Sequence, residues 1–127
     1  MKTDIGLLVF RVFVGLSMCL GHGWQKLTGF TDIAPGFPDP IGLGSTVSLA
    51  LVVFAEAFCS IAVALGLKTR FAVIPLIINM SVAVFVFHSA DPFQKKELAA
   101  LYLVSFAAIF LLGPGKFSLD SVFKLEK

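Results

Sequence analysis

The chain has 127 residues, 57% of them hydrophobic and only 14% charged, with a formal net charge of +2. A soluble domain is roughly 45–50% apolar and about 25% charged, whereas this chain has a mean hydropathy of +0.95. Ten Lys and Arg, eight Asp and Glu and two His cannot clothe a water-facing surface of this size. The composition disfavours a soluble globular protein and a disordered chain, and so small and scattered a charge offers nothing to nucleic acid. The solvent to expect is lipid.

Four apolar segments follow one another, each within the roughly 17–25 residues that a spanning helix needs. The first covers about residues 5–26, with Arg11 as its one internal charge. Lys2 and the apolar run raise the question of a signal peptide, but no small-x-small site follows, and Met18 before Cys19 does not suit a lipoprotein box. Residues 27–43 form the one long connection, where Pro35, Pro38, Pro40, Gly36 and Gly42 are expected to prevent regular structure. The second segment, about 44–67, contains Glu56. The short turn Lys68-Thr69-Arg70 makes it an antiparallel hairpin with the third, about 71–90, whose polar residues are Asn79 and His88. Residues 91–96 are a polar turn, with Pro92 placed to stop one helix before the next. The fourth segment, about 97–113, ends at Gly113-Pro114-Gly115, and the mixed-charge tail from Lys116 to Lys127 is expected at the membrane surface. The expected fold is all-α: an integral membrane four-helix bundle, one domain over residues 1–127, with a long first inter-helix loop.

An even number of spans puts both termini on one side. That side collects Lys2, Lys68, Arg70, Lys116, Lys124 and Lys127, against Lys26, Lys95 and Lys96 on the other. The positive-inside rule then expects cytoplasmic termini. Trp24, the only tryptophan, falls at the outer end of the first helix, where an aromatic belt residue belongs. There is no evident internal repeat and no low-complexity tract.

A charged side chain in hydrocarbon costs at least about 2.5–3.5 kcal/mol and marks a candidate site. At roughly 100° per residue, Arg11, Gly15, Met18, His22 and Gln25 share one stripe of the first helix, which should face the bundle interior. Gly15 would let a neighbouring helix come close. Ser45, Leu49, Val52, Glu56, Ser60 and Val63 form the matching stripe of the second helix, with Cys59 at its edge. Counting about 1.5 Å per residue, Arg11 lies roughly 9 Å and Glu56 roughly 16 Å from the cytoplasmic ends of their spans, so the two can pair. Three readings stand side by side: an ion pair that locks the bundle, a ligand- or proton-exchanging site, and an Arg11 that snorkels to the nearer surface.

His22 and His88 lie near the outer ends of their helices, where two histidines could ligate haem or a metal, or simply bond to carbonyls and water. No spaced ligand cluster accompanies them, so neither a metal nor haem is expected. Asp91 and Glu97 stand near the same surface and could join an outer polar pocket roofed by the long loop. Cys19 and Cys59 form no Cys-x-x-Cys motif, and their depths, roughly 21 and 12 Å from the cytoplasmic side, speak against a bridge. Both read as small buried hydrophobes. The fourteen Phe read mostly as lipid-facing bulk. There is no phosphate loop, GxSxG or HExxH. Gly113-Pro114-Gly115-Lys116 is a helix stop, since Pro removes an amide donor.

Several stretches, in order, resemble the DoxX family of small four-span bacterial membrane proteins. They are Arg11 with Gly15, then His22-Gly23-Trp24-Gln25-Lys26-Leu27 and Gly29-Phe30, then Glu56, then Gly66-Leu67 and Thr69-Arg70. Glu97, Leu101-Tyr102-Leu103 and the closing Gly113-Pro114-Gly115-Lys116-Phe117-Ser118-Leu119-Asp120 complete the set, which spans nearly the whole chain. The resemblance implies an inner-membrane protein associated with quinone-linked thiosulfate oxidation or with oxidative-stress and thiol pathways. The lack of a paired-cysteine motif argues against direct dithiol chemistry. For a quinone, the candidate ligand-binding residues are Arg11, His22, Gln25, Glu56 and Glu97. Glu56 would exchange protons, Arg11 would tune it, and His22 would bond to a quinone carbonyl. The leading expectation is a component of a membrane redox system with a polar intramembrane site for a quinone or another amphipathic small molecule. Its rivals are a small-molecule or lipid carrier acting as a homo-oligomer, and a structural or assembly subunit held by membrane or redox protein partners.

Overall fold

The computed structural model describes residues 1–125, so Lys127, counted among the charges on the side of the termini, lies outside the described residues. Among those residues the chain is all-helical, with no strand. Four long helices dominate: α1 (Lys2–Thr28), α2 (Ser45–Leu65), α3 (Thr69–Phe87) and α4 (Phe93–Leu112). The first three are long and apolar enough to cross a membrane. Every 18-residue stretch of α4 holds Lys95, Lys96 and Glu97, which sets it apart from the other three. Pro92 caps the start of α4 in extended conformation, and Gly113 ends it with φ 79°.

Each of α1, α2 and α3 contains one wide π-helical turn: Cys19–Gly23, Phe54–Cys59 and Ala83–Phe87. Such a turn fits one extra residue, so every side chain beyond it is carried round the helix relative to a regular α-helix. The turns in α1 and α2 lie against each other. Packing runs in sequence, most extensively α1 on α2, then α3 on α4 and α2 on α3, while α1 and α4 touch only lightly. Val14, Met18, Val63, Val73, Leu76, Phe106 and Ile109 fill the centre. Glycine brings α1 and α2 together: a Cβ on Gly15 would lie 2.7 Å from the Ser60 carbonyl, and one on Gly23 would lie 2.5 Å from the Ala57 nitrogen and run into the Glu56 backbone. Phe13, Phe58, Phe71 and Phe85 face outward, each more than half exposed, as residues that meet lipid rather than water.

Two connections differ from expectation. The segment between α1 and α2 is not devoid of regular structure, because it forms a helical turn at Phe30–Ile33 and a 3-10 turn at Ala34–Gly36. Leu27, Phe30, Ile33 and Phe37 pack on Leu49, Val53 and Ala57 of α2, and this burial offsets the poor helix propensity of the Pro and Gly there. Beyond it, Asp39 accepts bonds from the Leu43 and Gly44 amides and the Ser48 hydroxyl, all at 2.8 Å, and so fastens the loop to the start of α2. The tail is not merely a surface segment either. A short helix, α5 (Leu119–Phe123), brings in Asp120 with no exposure at all. Its carboxylate accepts from the Lys68 amide at 2.6 Å, the Thr69 amide at 2.9 Å and the Thr69 hydroxyl at 2.8 Å, capping α3 from a distant part of the chain.

Candidate functional site

The polar centre is built on Glu56, which sits within the π-helical turn of α2. Its carboxylate is held at both oxygens: Lys26 Nζ donates to Oε1 at 2.5 Å and Asn79 Nδ2 donates to Oε2 at 2.7 Å. The Glu56 side chain is 6% exposed and that of Lys26 is 26% exposed. Three helices therefore contribute one polar residue each. The wide turn also releases a backbone carbonyl, and the Ser60 hydroxyl donates to the Glu56 oxygen at 2.5 Å. Gly23 leaves room for the end of α1 to lie directly on the Glu56 backbone, which brings Lys26 within reach.

Lys26, Glu56 and Asn79 line one end of a cavity of about 490 Å³. Its remaining walls are almost wholly apolar: Leu51, Val52 and Phe54 from α2, Pro75, Ile78 and Val82 from α3, and Phe37, Pro38, Pro40, Ile41 and Leu43 from the loop. An ammonium has three N–H donors and a side-chain amide two. One donor from each is spent on Glu56, so both keep donors for an acceptor atom in the cavity.

Arg11 belongs to a different place. It is 2% exposed and donates from Nε to the Val63 carbonyl at 2.9 Å, and from its two terminal nitrogens to Pro114 at 2.7 Å and Phe117 at 2.9 Å, with a longer bond to Ala64 at 3.4 Å. The expected Arg11–Glu56 pair does not form, and Arg11 does not snorkel. The Val63 carbonyl also accepts from the Gly66 amide at 3.0 Å, so Arg11 is a second donor there, and a guanidinium with five fixed donors suits several carbonyls better than one carboxylate.

The stripe expected along α1 is corrected in the same way. Arg11, Gly15 and Met18 are buried as expected, but His22 is half-buried and Gln25 is exposed. The π-helical turn moves the inward face on, so Gly23 and Lys26 occupy the positions that regular spacing assigns to His22 and Gln25. His22 instead sets its ring edge against Tyr102, with centroids 5.6 Å apart. Glu97 is exposed near the start of α4, just past its first turn. Of Arg11, His22, Gln25, Glu56 and Glu97, only Glu56 lines the cavity. A cavity lies under the loop, but His22, His88, Asp91 and Glu97, expected to form a polar pocket there, do not line it. His88 and Asp91 pair with each other at 2.8 Å, and this bond, with Lys95 nearby, holds the Asp91 carboxyl below its ordinary range. Cys19 and Cys59 are buried free thiols. Among the described residues no three His, Cys, Asp or Glu side chains gather as a metal cluster.

Lys26 and Asn79 are the residues that sequence reasoning missed. Lys26 counts there as an outer-surface charge and Asn79 as an isolated polar residue, since spacing within one helix says nothing of partners on another. The family profile of DoxX matches residues 6–89, a stretch that includes nearly all of α1, all of α2 and α3, and Lys26, Glu56 and Asn79 of the cavity. The chain belongs to the DoxX family. Among relatives, an "uncharacterized membrane protein" of Mycobacterium tuberculosis is 33% identical over 90% of this chain and 78% of its own length. An "uncharacterized protein" of Haemophilus influenzae is 26% identical over 96% of this chain and 85% of its own. No solved structure matches this DoxX protein significantly.

Proposed function

We propose that this membrane protein binds the head of a quinone or a similar amphipathic small molecule in the Lys26–Glu56–Asn79 cavity, as a component of a membrane redox system. The observation behind this reading is a buried carboxylate, held by two donors from two other helices, at the polar end of an otherwise apolar cavity. A ligand site combines apolar walls with a few convergent polar groups. The spare donors of Lys26 and Asn79 suit a carbonyl oxygen, and Glu56 is a proton acceptor beside them. On this reading Arg11 locks the opposite end of the protein and takes no part in binding.

The same proposal makes the chain one four-span domain of the bacterial inner membrane, with both termini cytoplasmic. Lys95 and Lys96 would then stand at the outer end of α4, where their long stems reach the interface. The binding test uses purified protein and a soluble quinone analogue. Glu56→Gln is expected to weaken binding at least tenfold while the protein still inserts and folds, because Lys26 can turn to water once its partner is neutral. Equal binding by the variant would remove Glu56 from the site.

A further inference from the structure

We infer that the molecule taken by this cavity reaches it sideways from the bilayer, between α2 and α3, and is a single-tailed lipid-phase compound with an uncharged acceptor head. The inference rests on the binding proposed above and adds the route and the tail.

Six large apolar residues that line the cavity are about half exposed: Leu51 and Phe54 of α2 (both 52%), Ile78 and Phe87 of α3 (59% and 49%), and Ile41 and Leu43 of the loop (54% and 46%). The first four lie on helices apolar enough to cross a membrane. A side chain that lines a cavity and also faces the bilayer marks its rim, so the cavity has a mouth on the lipid side. Pro75, which lacks an amide proton, adds to the α3 wall. Towards water the cavity is covered by the strap Phe37-Pro38-Asp39-Pro40-Ile41, which Asp39 fastens to the start of α2 through three bonds. Two prolines stiffen this strap, and apolar Ile41 and Leu43 continue it. The polar end, with Glu56 and Lys26 already neutralising one another, asks for an acceptor without net charge. With the head at Glu56 and the loop held by Asp39, the gap between α2 and α3 is the way out that leads a tail into lipid.

A benzoquinone carrying an alkyl tail with a photoreactive diazirine near the ring tests this, with the full-length protein in nanodiscs. Labelling is expected on residues 51–54 and 78–82, and it should fall at least tenfold in Glu56→Gln. Labelling confined to residues 37–41, still reduced by Glu56→Gln, would overturn the lateral route while leaving the binding site in place. Labelling indifferent to Glu56→Gln, or absent, would overturn both. Leu51→Trp and Ile78→Trp provide a second arm: narrowing the mouth should slow association of the tailed compound at least tenfold, and an unchanged rate would count against the route.

Discussion

Arg11 and Glu56 are both charged and both nearly excluded from solvent, yet they solve the cost of burial differently. Arg11 spends its donors on carbonyls at the ends of two segments, a structural use in which shape matters more than charge. Arg11→Met is expected to cost about 3 kcal/mol, since it takes the Arg11 donors from the Pro114 and Phe117 carbonyls. Arg11→Lys should recover less than half of this, because one ammonium cannot reproduce the fork. Thermal unfolding in a mild detergent measures both. Asp39 shows the pH behaviour of the loop. The Ser48 hydroxyl and the Gly44 and Leu43 amides hold its carboxyl below the ordinary value of 3.8. Its contribution is therefore fully present above pH 3.8 and lost only as pH falls through the lowered value. Hydrogen exchange at the Leu43 and Gly44 amides should stay constant from about pH 8 to 5, after correction for intrinsic rates, and quicken below about pH 4. Asp39→Ala should show the quick exchange throughout.

At the scale of elements, the π-helical turns explain both what could be read from spacing and what could not. A period of 3.6 correctly places Arg11, Gly15 and Met18 on the inner face of α1, because the helix is regular up to Met18. One extra residue in Cys19–Gly23 then exchanges His22 and Gln25 for Gly23 and Lys26. Nothing in Cys-Leu-Gly-His-Gly marks a π-helical turn in advance, since its cause is the close fit against the matching turn of α2. Gly23→Ala is expected to destabilise by about 2 kcal/mol, because the backbone of Glu56 and Ala57 cannot give way to a Cβ. Gly21→Ala, with open space around it, should be neutral or slightly stabilising. Comparing the two by unfolding and by quinone-analogue binding separates packing from helix propensity: only Gly23→Ala should lose binding, by pulling Lys26 away from Glu56.

For the whole molecule, the proposed four spans would put both termini on one side, and this is open to a direct test. A green fluorescent protein fused to the C-terminus should fluoresce and an alkaline phosphatase at the same point should be inactive, with the reverse pattern for fusions in the 88–92 turn. Matching signals at the two points would mean that α4 does not cross. The apolar excess, the four long helices, the stops at Pro92 and Gly113 and the buried Glu56 were all legible in the chain, because each depends on local composition or on the expense of charge in lipid. The family resemblance was legible for a related reason, since short motifs survive in sequence order. Partners were not. Lys26 and Asn79 meet Glu56 from 30 and 23 residues away, and Asp120 reaches Thr69 across 51. Only packing decides which of several buried donors faces which acceptor. An extra residue in one helical turn was enough to bring Gly23 and Lys26, rather than His22 and Gln25, to the inner face of α1, where Lys26 meets Glu56.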